Sequence, residues 1–373
     1  MDLFERDSRL GGHTHTHTLE LEEKIQVDSG FIVLNNRNYA LLTKLFSDLN
    51  VELHPTPMSF GVETDSFGWC SDDFLKFRFF NNLKKVKLLF EIIRFNKLAS
   101  NVKSSANIND WLNQNNFSNF FKQNYILPMS ASIWSCSEDS ICEFPMRSLS
   151  RFFYNHGLLN LIKRPQWYSV IGGSNTYVQK LIKKSKIKNI FTDSRTSIKR
   201  DRSKVEVSNK GRCICYDRII FACHANQIKD CLIDITQEEQ EIFGMFDYTK
   251  NKVLLHCDPE LMPRNRTRWS SWNSFKNRDY DFVTYWMNNL QKLNTKKNIF
   301  VTLGKFPKID KRHVYKKIIY EHPSFSDATL MGQKRIKAIQ GKNNTYFSGA
   351  HLGYGFHEDG IKSSIEVVRM IDE

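Results

Sequence analysis

Glycine turns stand near both ends of this chain, each where a strand would hand over to a helix. The first is Leu3-Phe4-Glu5-Arg6-x-x-Arg9-Leu10-Gly11-Gly12, and the second runs from Gly349-Ala350 through Gly353-Tyr354-Gly355-Phe356-His357-Glu358-Asp359-Gly360. Glycine tolerates positive φ and carries no Cβ, so such turns let backbone approach a ligand closely. An acid at the C-terminal end of a strand can accept hydrogen bonds from ribose hydroxyls. A helix N-terminus beginning near Gly360 would turn free N–H groups and a positive dipole end toward an anionic phosphate. The order strand, Gly turn, helix at both ends and again in the middle predicts an α/β nucleotide-binding domain, with other segments inserted between its parts.

Between the turns, a short buried strand is expected at Phe31–Leu34 and a helix over Tyr39–Leu49; residues 51–62 read as extended, Pro55 and Pro57 excluding a helix. Residues 71–160 read as mostly helical, with a polar break near 100–109 and a stop at Leu127-Pro128. A helix is expected from Ser174 to Lys184, then strands up to Phe221. Residues 231–340 mix both types, with strands at Lys252–His256 and Asn298–Thr302. An amphipathic helix is expected over Ile361–Ile371. No internal repeat is present.

The net charge of +14 invites a nucleic-acid partner. Its distribution argues otherwise, because no recognition motif accompanies the basic stretches. One stretch, Lys76, Arg78, Lys84, Lys85, Lys87, Arg94, Lys97 and Lys103, reads as a helix with Phe77, Phe80, Leu83, Val86, Phe90 and Ile93 along an apolar stripe. A solvated surface is the plain reading of such a helix, peripheral contact with an anionic membrane the next, and nucleic acid the last. No run reaches the roughly 18 apolar residues of a membrane span, and the N-terminus does not read as a signal peptide. A cytoplasmic location is therefore expected, at most peripheral to the inner membrane face. The eight cysteines do not form a disulfide scaffold, and Cys213-x-Cys215 lacks zinc spacing. His13, His15 and His17 alternate, so in a strand they would share one face and could bind a metal.

The first turn, the terminal strand-Gly-Ala turn with its acid-Gly pair, and Tyr216-Asp217-Arg218-Ile219-Ile220-Phe221-Ala222 together resemble the flavin-containing amine oxidase superfamily. Further segments narrow the likeness: Pro57-Met58-Ser59-Phe60, Phe152-Phe153-x-Asn155-His156-Gly157, Arg164-Pro165-Gln166-Trp167 and Asp258-Pro259-x-Leu261-Met262-Pro263. These look like a subfamily of predicted NAD/FAD-binding amine-oxidase-like proteins, often associated with cyclopropane-fatty-acid synthases. The resemblance covers essentially the whole chain. It implies an FAD-binding, Rossmann-like domain of the glutathione-reductase type, formed by residues 1–62, 165–230 and 341–373, and an inserted mixed substrate domain of residues 63–164 and 231–340. It implies FAD contacts at Glu5, Arg6, Arg9, Gly11, Gly12, Thr196, Gly349, Ala350, Glu358, Asp359 and Gly360, and places Tyr354 and His357 near the reacting ring as catalytic candidates. The superfamily carries a similar Gly-Gly-His-Thr stretch beside the flavin, so the resemblance implies a cofactor-proximal or plain strand role for His13, His15 and His17 and no metal.

One departure stands out. In a dinucleotide fold a Gly-x-Gly-x-x-Gly loop precedes the ribose acid by roughly 20 residues. Here the acid is Glu5 and the chain holds no complete loop of that kind. The first strand, phosphate loop and first helix are therefore expected to be missing, with Met1 an internal start or fragment boundary. The expected activity is two-electron oxidation of a small hydrophobic substrate, an acyl chain or other lipid, by hydride transfer to flavin. The alternative is a degenerate relative with weak or no cofactor binding and no catalysis.

Overall fold

The computed structural model describes residues 1–75, 82–160, 164–201 and 203–372. Its largest sheet has seven strands, in the order Val314–Pro323, Tyr248–His256, Phe300–Lys305, Asp281–Trp286, Trp272–Lys276, Phe60–Thr64 and Gly68–Cys70. All neighbours run antiparallel except Trp272–Lys276 beside Phe60–Thr64, which is parallel. Val253, Leu255, Val283, Val301 and Leu303 share one core with Leu19, Ile25 and Val27 of the N-terminal hairpin Thr16–Glu20/Lys24–Asp28. This sheet forms one wall of the interior.

Two further parallel pairs stand apart from this sheet. Asp2–Phe4 pairs with Asn189–Phe191, and Ile219–Phe221 pairs with Thr345–Phe347. An antiparallel sheet of Thr196–Arg200, Val205–Asn209 and Arg212–Tyr216 leads from one pair to the other. Val205 and Val207 alternate inward there and pack with Phe221, Phe243, Ile336 and Phe347. Segments near 240 and 336 thus share a core with the second parallel pair. The expected mixed α/β architecture is present.

Helices over residues 83–155 enclose an aromatic core in which Phe95, Phe121 and Phe153 are fully buried. Asparagine and serine side chains start them: Asn82 caps Leu83–Ala99, Asn107 caps Ile108–Gln114 and Ser137 caps Glu138–Cys142. The polar break at 100–109 separates the first two.

Three local expectations are overturned. Leu127-Pro128 does not stop a helix but opens one, Leu127–Trp134, directly after a wide π turn at Lys122–Ile126. Pro128 has no N–H for the Asn124 carbonyl one turn back, and the indole Nε1 of Trp69 donates to that carbonyl instead, at 2.7 Å. The Leu83–Ala99 helix buries Leu88, Ile92, Phe95 and Ala99 rather than Leu83, Phe90 and Ile93; Lys76, Phe77, Arg78 and Phe80 lie outside the described residues. The last helix starts at His357, three residues before Gly360, and runs to Asp372.

Candidate functional site

The strand Asp2–Phe4 delivers Glu5 to the edge of a cavity of about 2360 Å³ that reaches through the centre of the molecule. One carboxylate oxygen of Glu5 accepts the Asp7 N–H at 2.9 Å, closing the first bend. Gly11 and Gly12 follow with φ of +110° and +55°. A Cβ on Gly11 would stand 2.8 Å from the Thr14 carbonyl, whereas one on Gly12 would project into open space. Arg9 folds back on this turn and donates to the carbonyl oxygens of Gly12 (2.6 Å) and Thr14 (3.4 Å). Arg6 lies 3.8 Å from Asp7 at the surface.

The second turn approaches from the other side. Ser348 N–H donates to the Phe221 carbonyl, continuing the Ile219–Phe221/Thr345–Phe347 pair. Gly349 has φ +157°, and a Cβ there would meet the His351 ring at 2.6 Å. Glu5, Arg6, Arg9, Gly11, Gly12, Thr196, Gly349, Ala350, Tyr354 and His357 all line the cavity.

Glu358, Asp359 and Gly360 do not line it; they stand behind its wall. The Glu358 carboxylate accepts the N–H groups of Leu41 and Leu42, at 2.8 and 2.9 Å, and so caps the helix Ala40–Asp48. Asp359 Oδ2 accepts the N–H groups of Tyr354 and Phe356, at 3.0 and 3.1 Å, which fixes the Gly353–Phe356 loop. The Gly360 carbonyl accepts the hydroxyls of Ser363 and Ser364. Burial of Asp359 raises its carboxyl above the usual range against those two backbone donors.

His357 joins the two turns. Its Nε2 lies 3.0 Å from both Thr14 Oγ1 and Tyr177 OH, which are themselves 2.5 Å apart. Phe31 stacks on its ring at 3.9 Å. Burial depresses its pKa to about 4, so the imidazole is neutral at pH 7. Tyr354 is half-buried, and Phe152 stands edge-on to its ring.

The cavity has two chemical characters. Phe31, Tyr39, Phe60, Trp134, Phe152 and Trp167 make one part aromatic. Histidine dominates the other: seven of the eleven in the chain line the cavity. His13 stands with ring centroids 5.6 Å from His224, 5.1 Å from His322 and 4.9 Å from Tyr320. Burial pushes His322 and His351 down to about 4, and His13 well below its ordinary value. His224 is also lowered by burial, although Glu321 lies 3.7 Å from its Nδ1 and opposes the shift. His13 Nε2, His224 Nδ1 and His351 Nε2 are buried and have no hydrogen-bond partner.

His224, His322 and His351 were not legible as site residues. They come from separate segments and meet only when Val314–Pro323 crosses behind His13. The one usable signal was the position of His224 and His351, each a few residues beyond a parallel strand. Among the described residues no group of three or more His, Cys, Asp or Glu is arranged to hold a metal ion, and the alternation of His13, His15 and His17 places only His17 inside a strand.

Two glycine turns, the Glu5 carboxylate and an aromatic chamber thus face one space. Residues 1–291 match the flavin containing amine oxidoreductases as a family. The chain belongs to that family. Its cofactor is FAD, and the site fits one: the volume exceeds the roughly 300–1,000 Å³ of a small-molecule pocket, the space beside Gly12 is open, and three buried imidazole nitrogens lack partners. Comparison with curated proteins returns no match. Among solved structures, wild-type putrescine oxidase bound to putrescine superposes with a TM-score of 0.67 at 13% identity, covering 100% of this chain and 93% of that one. A CLA-producing fatty acid isomerase from P. acnes gives 0.69 at 12% identity, with 99% and 92% covered. Cyclohexylamine oxidase from Brevibacterium oxydans gives 0.69 at 12%, with 99% and 93% covered. At these identities the likeness is one of fold.

Proposed function

We propose that this protein is an FAD-dependent oxidoreductase that oxidises a hydrophobic substrate by two electrons. The observation that carries this reading is the division of one cavity between the glycine turns with their histidines and the aromatic chamber of Phe60, Trp134 and Phe152. When bound, FAD supplies the acceptor for a hydride from a substrate carbon. Glu5 has a carboxylate oxygen free for ribose hydroxyls. Arg6 and Thr196 border the same end, and the backbone at Gly11, Gly12, Gly349 and Ala350 takes the phosphate chain. Arg9, Glu358, Asp359 and Gly360 serve this site by holding the two turns in shape.

Tyr354 is the group we place beside the substrate, where its ring narrows the aromatic chamber. His357 we place as the link between the Thr14 and Tyr177 hydroxyls, able to hold or pass a proton between them at Nε2. The aromatic lining favours an acyl chain or another lipid, and the fatty acid isomerase of the same fold fits that preference. The substrate side comprises residues 63–164 and 231–340, and the cofactor side residues 1–62, 165–230 and 341–373.

A second reading is favoured by one specific observation. The 373 residues contain no Gly-x-Gly-x-x-Gly. On that reading the chain is a relative that holds FAD weakly and does not turn over. Purification followed by a visible spectrum separates the two. Flavin bands that bleach anaerobically on addition of a fatty acid or amine support the enzyme. Colourless protein that takes up no added FAD supports the degenerate relative.

A further inference from the structure

The helix Leu83–Ala99 has two apolar faces, and only one of them is packed. Leu88, Ile92, Phe95 and Ala99, spaced i, i+4, i+7 and i+11, face the aromatic core. On the opposite side Leu83 is 86% exposed, Phe90 68% and Ile93 46%, and Leu98 flanks them at 39%. Lys87, Arg94 and Lys97 are exposed among them. The stripe Leu83-Lys87-Phe90-Arg94-Lys97 repeats the same spacing half a turn away from the buried one.

Among its described residues the helix has one carboxylate, Glu91, and it is turned aside: it accepts the N–H and hydroxyl of Ser118, at 2.9 and 2.5 Å, and so holds the residue that caps Asn119–Phe121. Asp73, at the N-terminal end, is paired with Lys85. Arg94 is held over the Phe117 ring at 4.5 Å and donates to the carbonyls of Asn115 and Asn116, so its charge is fixed at the surface.

We propose that this face docks on an anionic lipid surface. Leu83, Phe90, Ile93 and Leu98 enter the boundary between head groups and acyl chains, while Lys87, Arg94 and Lys97 lie over the anionic head groups. A second copy of the chain is a poor occupant, since it would set these three cations against three more. A nucleic acid would use the cations and leave Leu83, Ile93 and Leu98 without contact. The proposal is independent of the cofactor reading.

Cosedimentation of the full chain with vesicles tests it. Binding is expected to vesicles of phosphatidylcholine mixed with phosphatidylglycerol, to weaken with salt, and to be absent with phosphatidylcholine alone. Lys87→Gln and Lys97→Gln should each lower partitioning about five-fold, from roughly 1 kcal/mol per basic residue. Phe90→Ser should lower it about tenfold, and Lys297→Gln, on a distant exposed loop, should leave it unchanged. The vesicle comparison uses unmodified protein, so it stands even if a variant folds poorly. Equal binding to both vesicle types, or none to either, overturns the proposal. So does binding that survives Phe90→Ser and is competed away by duplex DNA, which would mark a general polyanion surface.

Discussion

At the residue scale, the buried Asp28 and the half-buried Glu358 do different things. Asp28 accepts the N–H and hydroxyl of Ser174, the hydroxyl of Thr16 and the amide of Gln291. Burial nevertheless outweighs those donors and raises its pKa to about 6. The folded protein therefore holds this proton more tightly than the unfolded chain, and the contribution of Asp28 to stability is lost as pH rises from about 4 to about 6. Asp28→Asn should remove that pH dependence, changing the difference in urea midpoint between pH 4 and pH 7 by the equivalent of about 2 kcal/mol; an unchanged difference would show that Asp28 titrates normally. Glu358 holds a helix end. As a cap on the helix Ala40–Asp48, its loss in Glu358→Ala should cost about 1.5–3 kcal/mol. A flavin spectrum unaltered in the folded variant would distinguish a cap from a direct cofactor ligand. Sequence pattern revealed the strand, turn and acid at Glu5, because that signal is local. It could not show that Glu358 faces Leu41, some 317 positions away, nor that His13 meets His322.

At the scale of elements, Arg200 organises the antiparallel sheet and the helix behind it. Its guanidinium binds both oxygens of Glu239 and reaches Asp234, and the side chain is almost wholly buried. Glu239 also closes the capping box with Thr236 at the start of Gln237–Phe243. Arg200→Met would leave the Glu239 charge buried without its partner, and a loss of about 3–5 kcal/mol in unfolding free energy is expected. The double variant Arg200→Met/Glu239→Leu should recover part of it; a double variant no better than the single would place the cost in packing instead. Strands such as Val205–Asn209 were legible because period-two alternation is intrinsic to a half-buried strand. The helix Leu127–Trp134 was not, because what admits Pro128 is an indole donor from Trp69, a tertiary contact. The face of Leu83–Ala99 was misassigned for a related reason. Both of its faces are apolar, and periodicity alone cannot say which one meets a core.

At the scale of the whole molecule, the cavity histidines set the acid sensitivity of the protein. His15 falls to about 3, and His156, His322, His351 and His357 to about 4, in each case chiefly through burial. An unfolded chain protonates these groups near pH 6.5, and the folded one does so only well below. The unfolded state thus binds more protons between those values, and stability must fall as pH falls from about 6.5 to about 4. Asp28 and Glu138, raised by burial to about 6 and about 7, act in the opposite sense but are fewer. The urea midpoint of FAD-free protein should therefore drop steadily between pH 7 and pH 4.5. On the proposed cofactor placement FAD should flatten the curve, because a diphosphate lying near His13, His224 and His351 would favour their protonated forms and give their unpartnered nitrogens an acceptor. Replacing His224 and His351 together by Gln should flatten it without FAD and weaken the further effect of FAD. A midpoint that holds constant or rises toward pH 4.5 in the unmodified protein would mean that these imidazoles are not held neutral, and that this wall of the cavity is open to water.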